Sequence, residues 1–222
     1  MRRTSEVRLR VNGRTVILSR DTETASPDAL FLCPAKTGGE VRVQAPNELF
    51  SADAVCAAAF SLAAERGAHD RCIVMTECSG YEGVVPVVVE PDAGKATAVL
   101  PVPEVEEADE ALSVSFPGVT CLVAQNEILI EPVSQPTIFV LRDPKGEMIL
   151  MRCKVDDRWP ELPSSGLAAA AAAIDLARSL PDGVMEYGIG MPGGTAEVGV
   201  SKRGGVLAGL SICSTVLLEE TV

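Results

Sequence analysis

An α+β fold in two pseudo-equivalent halves, each a curved, mostly antiparallel sheet around a central Ala-rich helix, is what this 222-residue sequence predicts. Three observations carry the expectation. The chain repeats itself at a nearly constant spacing. Each half runs strand signals, one helix signal, then strand signals again. Both helix segments are apolar on nearly every side.

The repeat is read residue by residue. Val7-Arg8-Leu9-Arg10-Val11 falls on Val119-Thr120-Cys121-Leu122-Val123 (119 − 7 = 112), and Val16-Ile17-Leu18 falls on Ile128-Leu129-Ile130 at the same offset. Ser51 to Ala59 falls on Pro163 to Ala171 (163 − 51 = 112), and Ser79-Gly80 meets Gly193-Gly194 after a slip of two (193 − 79 = 114). This register pairs Ala57 with Ala169 and Ile17 with Leu129, and it divides the chain into halves 1–116 and 117–222.

Each half opens with a hairpin signal. Glu6 to Val11 alternates polar and apolar, Asn12-Gly13 suits a type I′ turn, and Thr15 to Leu18 returns. In the second half Thr120 to Ala124 and Glu127 to Ile130 flank Gln125-Asn126. Further strands are expected at Ala29 to Cys33, Val41 to Val43, Thr137 to Leu141 and Met148 to Cys153, with turns at Gly38-Gly39 and Lys145-Gly146.

The helices follow. The first is expected from Ala52 to Arg66, stopping at Gly67, and the second from Gly166 to Ser179, stopping before Pro181-Asp182-Gly183. Ala57-Ala58-Ala59 and the run Ala168 to Ala173 leave them little polar contrast, which is the mark of a buried helix. Alanine also lets strands approach closely from every direction. Strands then resume at Cys72 to Met75, Val84 to Glu90 and Ala96 to Leu100, and at Val184 to Tyr187, Ala196 to Val200 and Val206 to Leu217. The acidic, Pro-containing stretch Pro101 to Glu110 reads as a solvated loop.

Composition narrows the function classes. A net charge of −12 and a pI near 4.6 repel phosphate backbones, which argues against nucleic acid and anionic membrane partners. The longest apolar run, Leu167 to Ile174, is too short for a bilayer, and the basic N-terminus is not followed by a signal-peptide core. Seven scattered cysteines without a Cys-x-x-Cys pair read as reduced thiols in a cytoplasmic protein, and neither they nor the single histidine, His69, suggest a metal site.

The helix starts carry a family resemblance. Phe50-Ser51-Ala52-Asp53-Ala54-Val55-Cys56-Ala57 is similar to the "FAGHPT-x-A" segment of phenazine-type isomerases, and Leu162-Pro163-Ser164-Ser165-Gly166-Leu167-Ala168-Ala169 resembles their "DPATGSAA". Met191-Pro192-Gly193-Gly194-Thr195-Ala196-Glu197-Val198 resembles the "PGG-x-L-x-V" turn and strand. Together with the duplication, these resemble the diaminopimelate epimerase-like superfamily, which also holds the proline and histidine racemases. The resemblance implies a cofactor-independent isomerase fold, with one cysteine at each helix start acting as base or acid on opposite faces of the substrate Cα. Here those positions fall on Ser51 (Phe50 with a shift of one) and on Pro163, so the two-thiol chemistry is not expected.

Two readings of function follow. In one, the chain keeps the fold without the chemistry and acts as a small-carboxylate-binding or assembly protein, with a homodimer left open. Ser164, Ser165 and Gly166 at the second helix start, with Arg158 ahead of it, are the candidate carboxylate-binding residues. A plain N-cap at Ser164 or Ser165 explains the same residues. In the other, an isomerase of a small amino or carboxylic acid uses carboxylates or hydroxyls in place of thiols, with Glu48, Ser51 and Asp53 as candidate catalytic residues.

Overall fold

A computed structural model describes residues 6–21, 29–44, 50–108, 111–124, 137–142, 149–154 and 165–219. In chain order its strands are β1 (Glu6–Val11), β2 (Arg14–Ser19), β3 (Leu30–Cys33) and β4 (Val41–Gln44), followed by helix α1 (Ala52–Glu65). Next come β5 (Cys72–Cys78), β6 (Val84–Glu90), β7 (Lys95–Leu100), β8 (Glu104–Ala108), β9 (Ala111–Phe116) and β10 (Val119–Ala124). The chain continues through β11 (Thr137–Arg142), β12 (Ile149–Lys154), helix α2 (Gly166–Ala177), β13 (Gly183–Met191), β14 (Gly194–Arg203) and β15 (Val206–Leu218). It forms two compact units, Met1–Val99 with Cys213–Val222, and Leu100–Ile212.

In the first unit the strands run β1-β2-β3-β4-β5-β6-β7-β15, and β15 pairs back onto β1, so the sheet closes into a ring. Asn12 (φ 49) and Gly13 (φ 84) make the left-handed pair that a tight β1–β2 hairpin needs. Along β6, Val85, Val87 and Val89 are fully buried while the residues between them are half-buried, the period of a sheet with one face on a core. Helix α1 touches β1 and β2 as well as β4, β5 and β6, so it lies inside the ring. Its residues 54–59 are at most 1% exposed. Small side chains make that enclosure sterically possible, and each buried valine facing them contributes roughly 1.5–3 kcal/mol. Gly67 (φ 67) ends the helix, its N–H donating to Ala64 C=O and that of Ala68 to Ala63 C=O.

In the second unit β12-β11-β10-β9-β8 form one sheet, β13 and β14 form a hairpin turning at Pro192-Gly193, and the first half of β15 runs beside β14. Helix α2 touches β9 to β14, and residues 168–173 are wholly buried. Lys202 of β14 closes its C-terminus, with Nζ donating to the carbonyls of Ala177 (3.1 Å), Arg178 (2.9 Å) and Leu180 (2.7 Å). Asp182 holds the β14–β15 turn by accepting from the N–H groups of Gly204 and Gly205.

The α+β architecture of curved, mostly antiparallel sheets around an Ala-rich helix is therefore observed, with parallel pairs at β2–β3, β4–β5 and β10–β11. Two expectations change. The acidic stretch is not all loop: Glu104–Ala108 pairs antiparallel with β9, and its glutamates suit an edge of the β8–β12 sheet that must discourage further pairing. Strand β9 was not expected, although Leu112, Val114 and Phe116 alternate as buried residues ahead of Pro117-Gly118. The second compact unit begins at Leu100, and position 116/117 lies in the turn of the β9–β10 hairpin. The expected return strand Glu127 to Ile130 lies outside the described residues.

Candidate functional site

The site predicted from sequence lies at the two helix starts, and each is built locally. Ser51 caps α1, its Oγ accepting from the Ala54 N–H at 3.2 Å, and Ser165 caps α2, its Oγ accepting from the Ala168 N–H at 3.3 Å. The caps are equivalent positions, and they stand 114 apart (165 − 51 = 114). The 112-residue register that paired Ser51 with Pro163 and Ala57 with Ala169 is thus two residues short at the helices. With the caps aligned, Pro163 matches Leu49 (163 − 114 = 49), and Ala57 matches Ala171. Neither register puts a cysteine at either start.

Sulfur does appear one layer behind the caps. The backbone N–H of Ser51 hydrogen-bonds the Cys78 thiol at the end of β5, and the backbone N–H of Ser165 donates to the Met191 thioether at 3.4 Å at the end of β13. Burial pushes the Cys78 thiol up to about 11 against the opposing pull of that N–H and of the Arg42 charge. Cys56, inside α1, gives its thiol hydrogen to the Ala96 carbonyl at 3.4 Å and is pushed up by burial to about 12. Both are uncharged thiols near neutrality, without the thiolate character a base needs.

Asp53, in the first turn of α1, is held by groups the sequence did not single out. Its Oδ1 accepts from Asn12 Nδ2 at 3.0 Å and from Ser214 Oγ at 3.3 Å. Asn12 Oδ1 in turn accepts from the Thr215 N–H at 3.0 Å, so the β1–β2 turn, β15 and α1 are tied together at one point. Burial raises the Asp53 carboxyl above its ordinary range, and the hydrogen bonds from Ser214 and Asn12 and the Arg14 charge offset part of that rise. The only sequence signal for this cluster was the Asn-Gly turn. Nothing local marks Ser214, which lies 161 residues from Asp53.

Just ahead of the α1 cap, Phe50 packs its ring on Tyr81 with centroids 4.9 Å apart, and both side chains are buried. On the far side of β5 from the core, Glu77 accepts from the N–H groups of Lys36 (2.7 Å), Thr37 (2.7 Å) and Gly39 (3.0 Å). Desolvation alone would raise the Glu77 carboxyl, but these bonds outweigh it and hold it down to about 2.

Of the residues proposed from sequence, Ser51 and Asp53 lie in the first unit, Ser165 and Gly166 in the second, while Glu48, Ser164 and Arg158 lie outside the described residues. Among the described residues no three His, Cys, Asp or Glu side chains converge as metal ligands would, and no helix is long and apolar enough to cross a membrane.

No protein-family model matches the chain, and no curated protein sequence matches it. Solved structures do. A protein of Pseudomonas aeruginosa described as a predicted epimerase superposes with a TM-score of 0.67 at 14% identity, covering 98% of each chain. A PhzF-family phenazine biosynthesis protein of Bacillus anthracis gives 0.62 at 12% identity, over 97% of this chain and 96% of that one. A hydroxyproline epimerase of Agrobacterium vitis, with trans-4-hydroxy-L-proline bound, gives 0.56 at 14% identity over 99% and 91%. With both helices enclosed by curved sheets and these three matches spanning nearly its whole length, the chain has the diaminopimelate epimerase-like fold.

Proposed function

We propose that this chain keeps the epimerase-like fold without two-thiol racemisation and acts as a small-carboxylate-binding or assembly protein. The observation that carries this reading is that both helix starts are capped by serines whose hydroxyls serve their own helices, with no cysteine in either register. The buried thiols of Cys56 and Cys78, pushed up to about 12 and about 11, do not replace them. A carboxylate is the ligand class favoured at α2, because its first turn carries no acidic residue and its leading N–H groups and dipole attract an anion. Ser164, Ser165, Gly166 and Arg158 are the residues proposed to hold it.

The test has two arms. Incubation in heavy water with diaminopimelate, proline or trans-4-hydroxy-L-proline is expected to leave Cα unlabelled. Calorimetry with the same three acids is expected to show binding, and sedimentation of the chain with and without them reads assembly. Deuterium incorporation abolished by Cys56→Ala or Cys78→Ala would sink the proposal.

A second reading is favoured by one observation, the raised carboxyl of Asp53. A carboxyl poised closer to neutrality suits a base for a cofactor-independent isomerase of a small acid, with Ser51 and Glu48 as its companions. Labelling of Cα that persists in both cysteine variants and disappears in Asp53→Asn or Glu48→Gln is the result this reading requires.

A further inference from the structure

We propose that the outward face of β5, β6 and β7 is a self-association surface, against which a second copy of this chain packs the same face across a two-fold axis. The inference gives the assembly part of the reading above a surface and a partner. It rests on that part and is independent of what either helix start binds.

The face follows from the alternation of the strands. Val74 and Thr76 of β5, Val85, Val87 and Val89 of β6, and Ala96 and Ala98 of β7 are buried, so the residues between them point away from α1. Those residues include Ile73, Met75, Pro86, Val88, Thr97 and Val99, with no charge among them. The register lines them up: Ile73 lies opposite Val88 and Val88 opposite Thr97, while Met75 lies opposite Pro86. Ile73 is 61% exposed and Val99 39%. A strand with one wet face alternates apolar and polar residues. Val84 to Val89 is instead apolar throughout, the composition of a strand covered on both sides.

The fold does not require this. Helix α2 is likewise followed by a hairpin, β13–β14, where Ala196, Val198 and Val200 are buried and the residues alternating with them are Thr195, Glu197, Gly199 and Ser201. The second strand of that hairpin therefore turns no large apolar side chain outward. An apolar face on one hairpin and not on its counterpart marks an interaction surface.

Charge selects the occupant. The chain carries a net charge of −12, so a partner chosen by electrostatics would be basic and would seek carboxylates. This face offers it none that is free. Glu77, the next outward residue of β5, is buried and bonded to the N–H groups of Lys36, Thr37 and Gly39, and Glu90 at the far rim stands opposite Lys95. Two copies with this charge repel at long range, so the contact open to them is a neutral one. An apolar face meets its own copy under two-fold symmetry with no charge left unpaired.

The test is sedimentation of the full chain over a concentration series at low and high salt. The expected result is a concentration-dependent species of twice the chain's mass, favoured by salt because screening weakens repulsion between the copies. Ile73→Asp, at a position already open to water, is expected to weaken dimerisation at least about tenfold with an unchanged thermal midpoint. Val184→Asp in β13, at a residue 79% exposed, adds the same charge and is expected to leave dimerisation unchanged. Should Ile73→Asp lower the midpoint, Ile73→Thr keeps a β-branched residue in the strand and is expected to weaken the dimer in the same direction. A dimer insensitive to both Ile73 variants, one weakened equally by Val184→Asp, or one that salt dissociates overturns this surface while leaving assembly intact. A chain that stays monomeric throughout overturns the surface and the assembly reading together, and calorimetry with the three acids reads carboxylate binding separately.

Discussion

The backbone N–H of Ser165 donates to the Met191 thioether, and 114 residues earlier the backbone N–H of Ser51 meets the Cys78 thiol in the same way (165 − 51 = 114). In both units the residue capping the helix has its own N–H satisfied by a sulfur at the end of the strand that follows the helix. Sulfur is a weak acceptor, yet an N–H with no partner in that place would carry a desolvation penalty. Met191→Leu keeps the volume and removes the acceptor, so urea unfolding is expected to show a loss of about 1 kcal/mol. Met191→Gln, which restores an acceptor, should recover part of it.

Glu77 makes stability depend on acid. Its carboxyl sits near 2 when folded against an ordinary 4.5, so its contribution is complete above about pH 4.5 and is lost as pH falls through 2. Glu77→Gln is expected to flatten the stability profile between pH 5 and 2, measured by denaturant unfolding, and to lower stability at pH 7.

Gly39 faces the same carboxylate. A Cβ there would lie 3.0 Å from Glu77 Cγ and 3.1 Å from the Met75 carbonyl oxygen, one of them rigid backbone. Gly39→Ala should destabilise by about 1–3 kcal/mol through crowding, and the loss should shrink in a Glu77→Ala background, which removes the crowded Cγ.

Ala170 is fully enclosed in α2, with no exposed surface. Ala170→Leu is expected to cost about 1–3 kcal/mol in unfolding free energy by overpacking. An unchanged midpoint would contradict a tightly wrapped helix.

Lys202 caps α2 from a different strand. Lys202→Met keeps the aliphatic stem and leaves three carbonyls to find water, with an expected cost of about 1 kcal/mol in chemical unfolding.

Much of this was legible because periodicity is local. The alternation in Glu6 to Val11, the Asn12-Gly13 turn and the alanine runs all announced elements that the structure contains. The helix starts were legible too, since Ser51 and Ser165 are the kind of residue that caps a helix. What sequence concealed is pairing over distance. Charge hid β8, because alternating glutamates on an edge strand look like a solvated loop. The register slip of two arose because a repeat measured on strands need not hold across loops of different length. The surroundings of Asp53 were unreadable for a simpler reason: Asn12 and Ser214 reach it from opposite ends of the chain.

The strand β15 begins in the second unit and ends in the first, where Cys213 to Leu218 complete the ring against β1. Order of synthesis then matters. When a ribosome has released residues 1–99, the first unit has its helix but an open seam, with the edges of β1 and β7 unpaired and Asp53 lacking Ser214. It must wait for about a hundred further residues before its last stave arrives. The N-terminal unit is thus the later of the two to close, and its two bare edges are the point at which a nascent or truncated chain is most exposed to pairing with a neighbour.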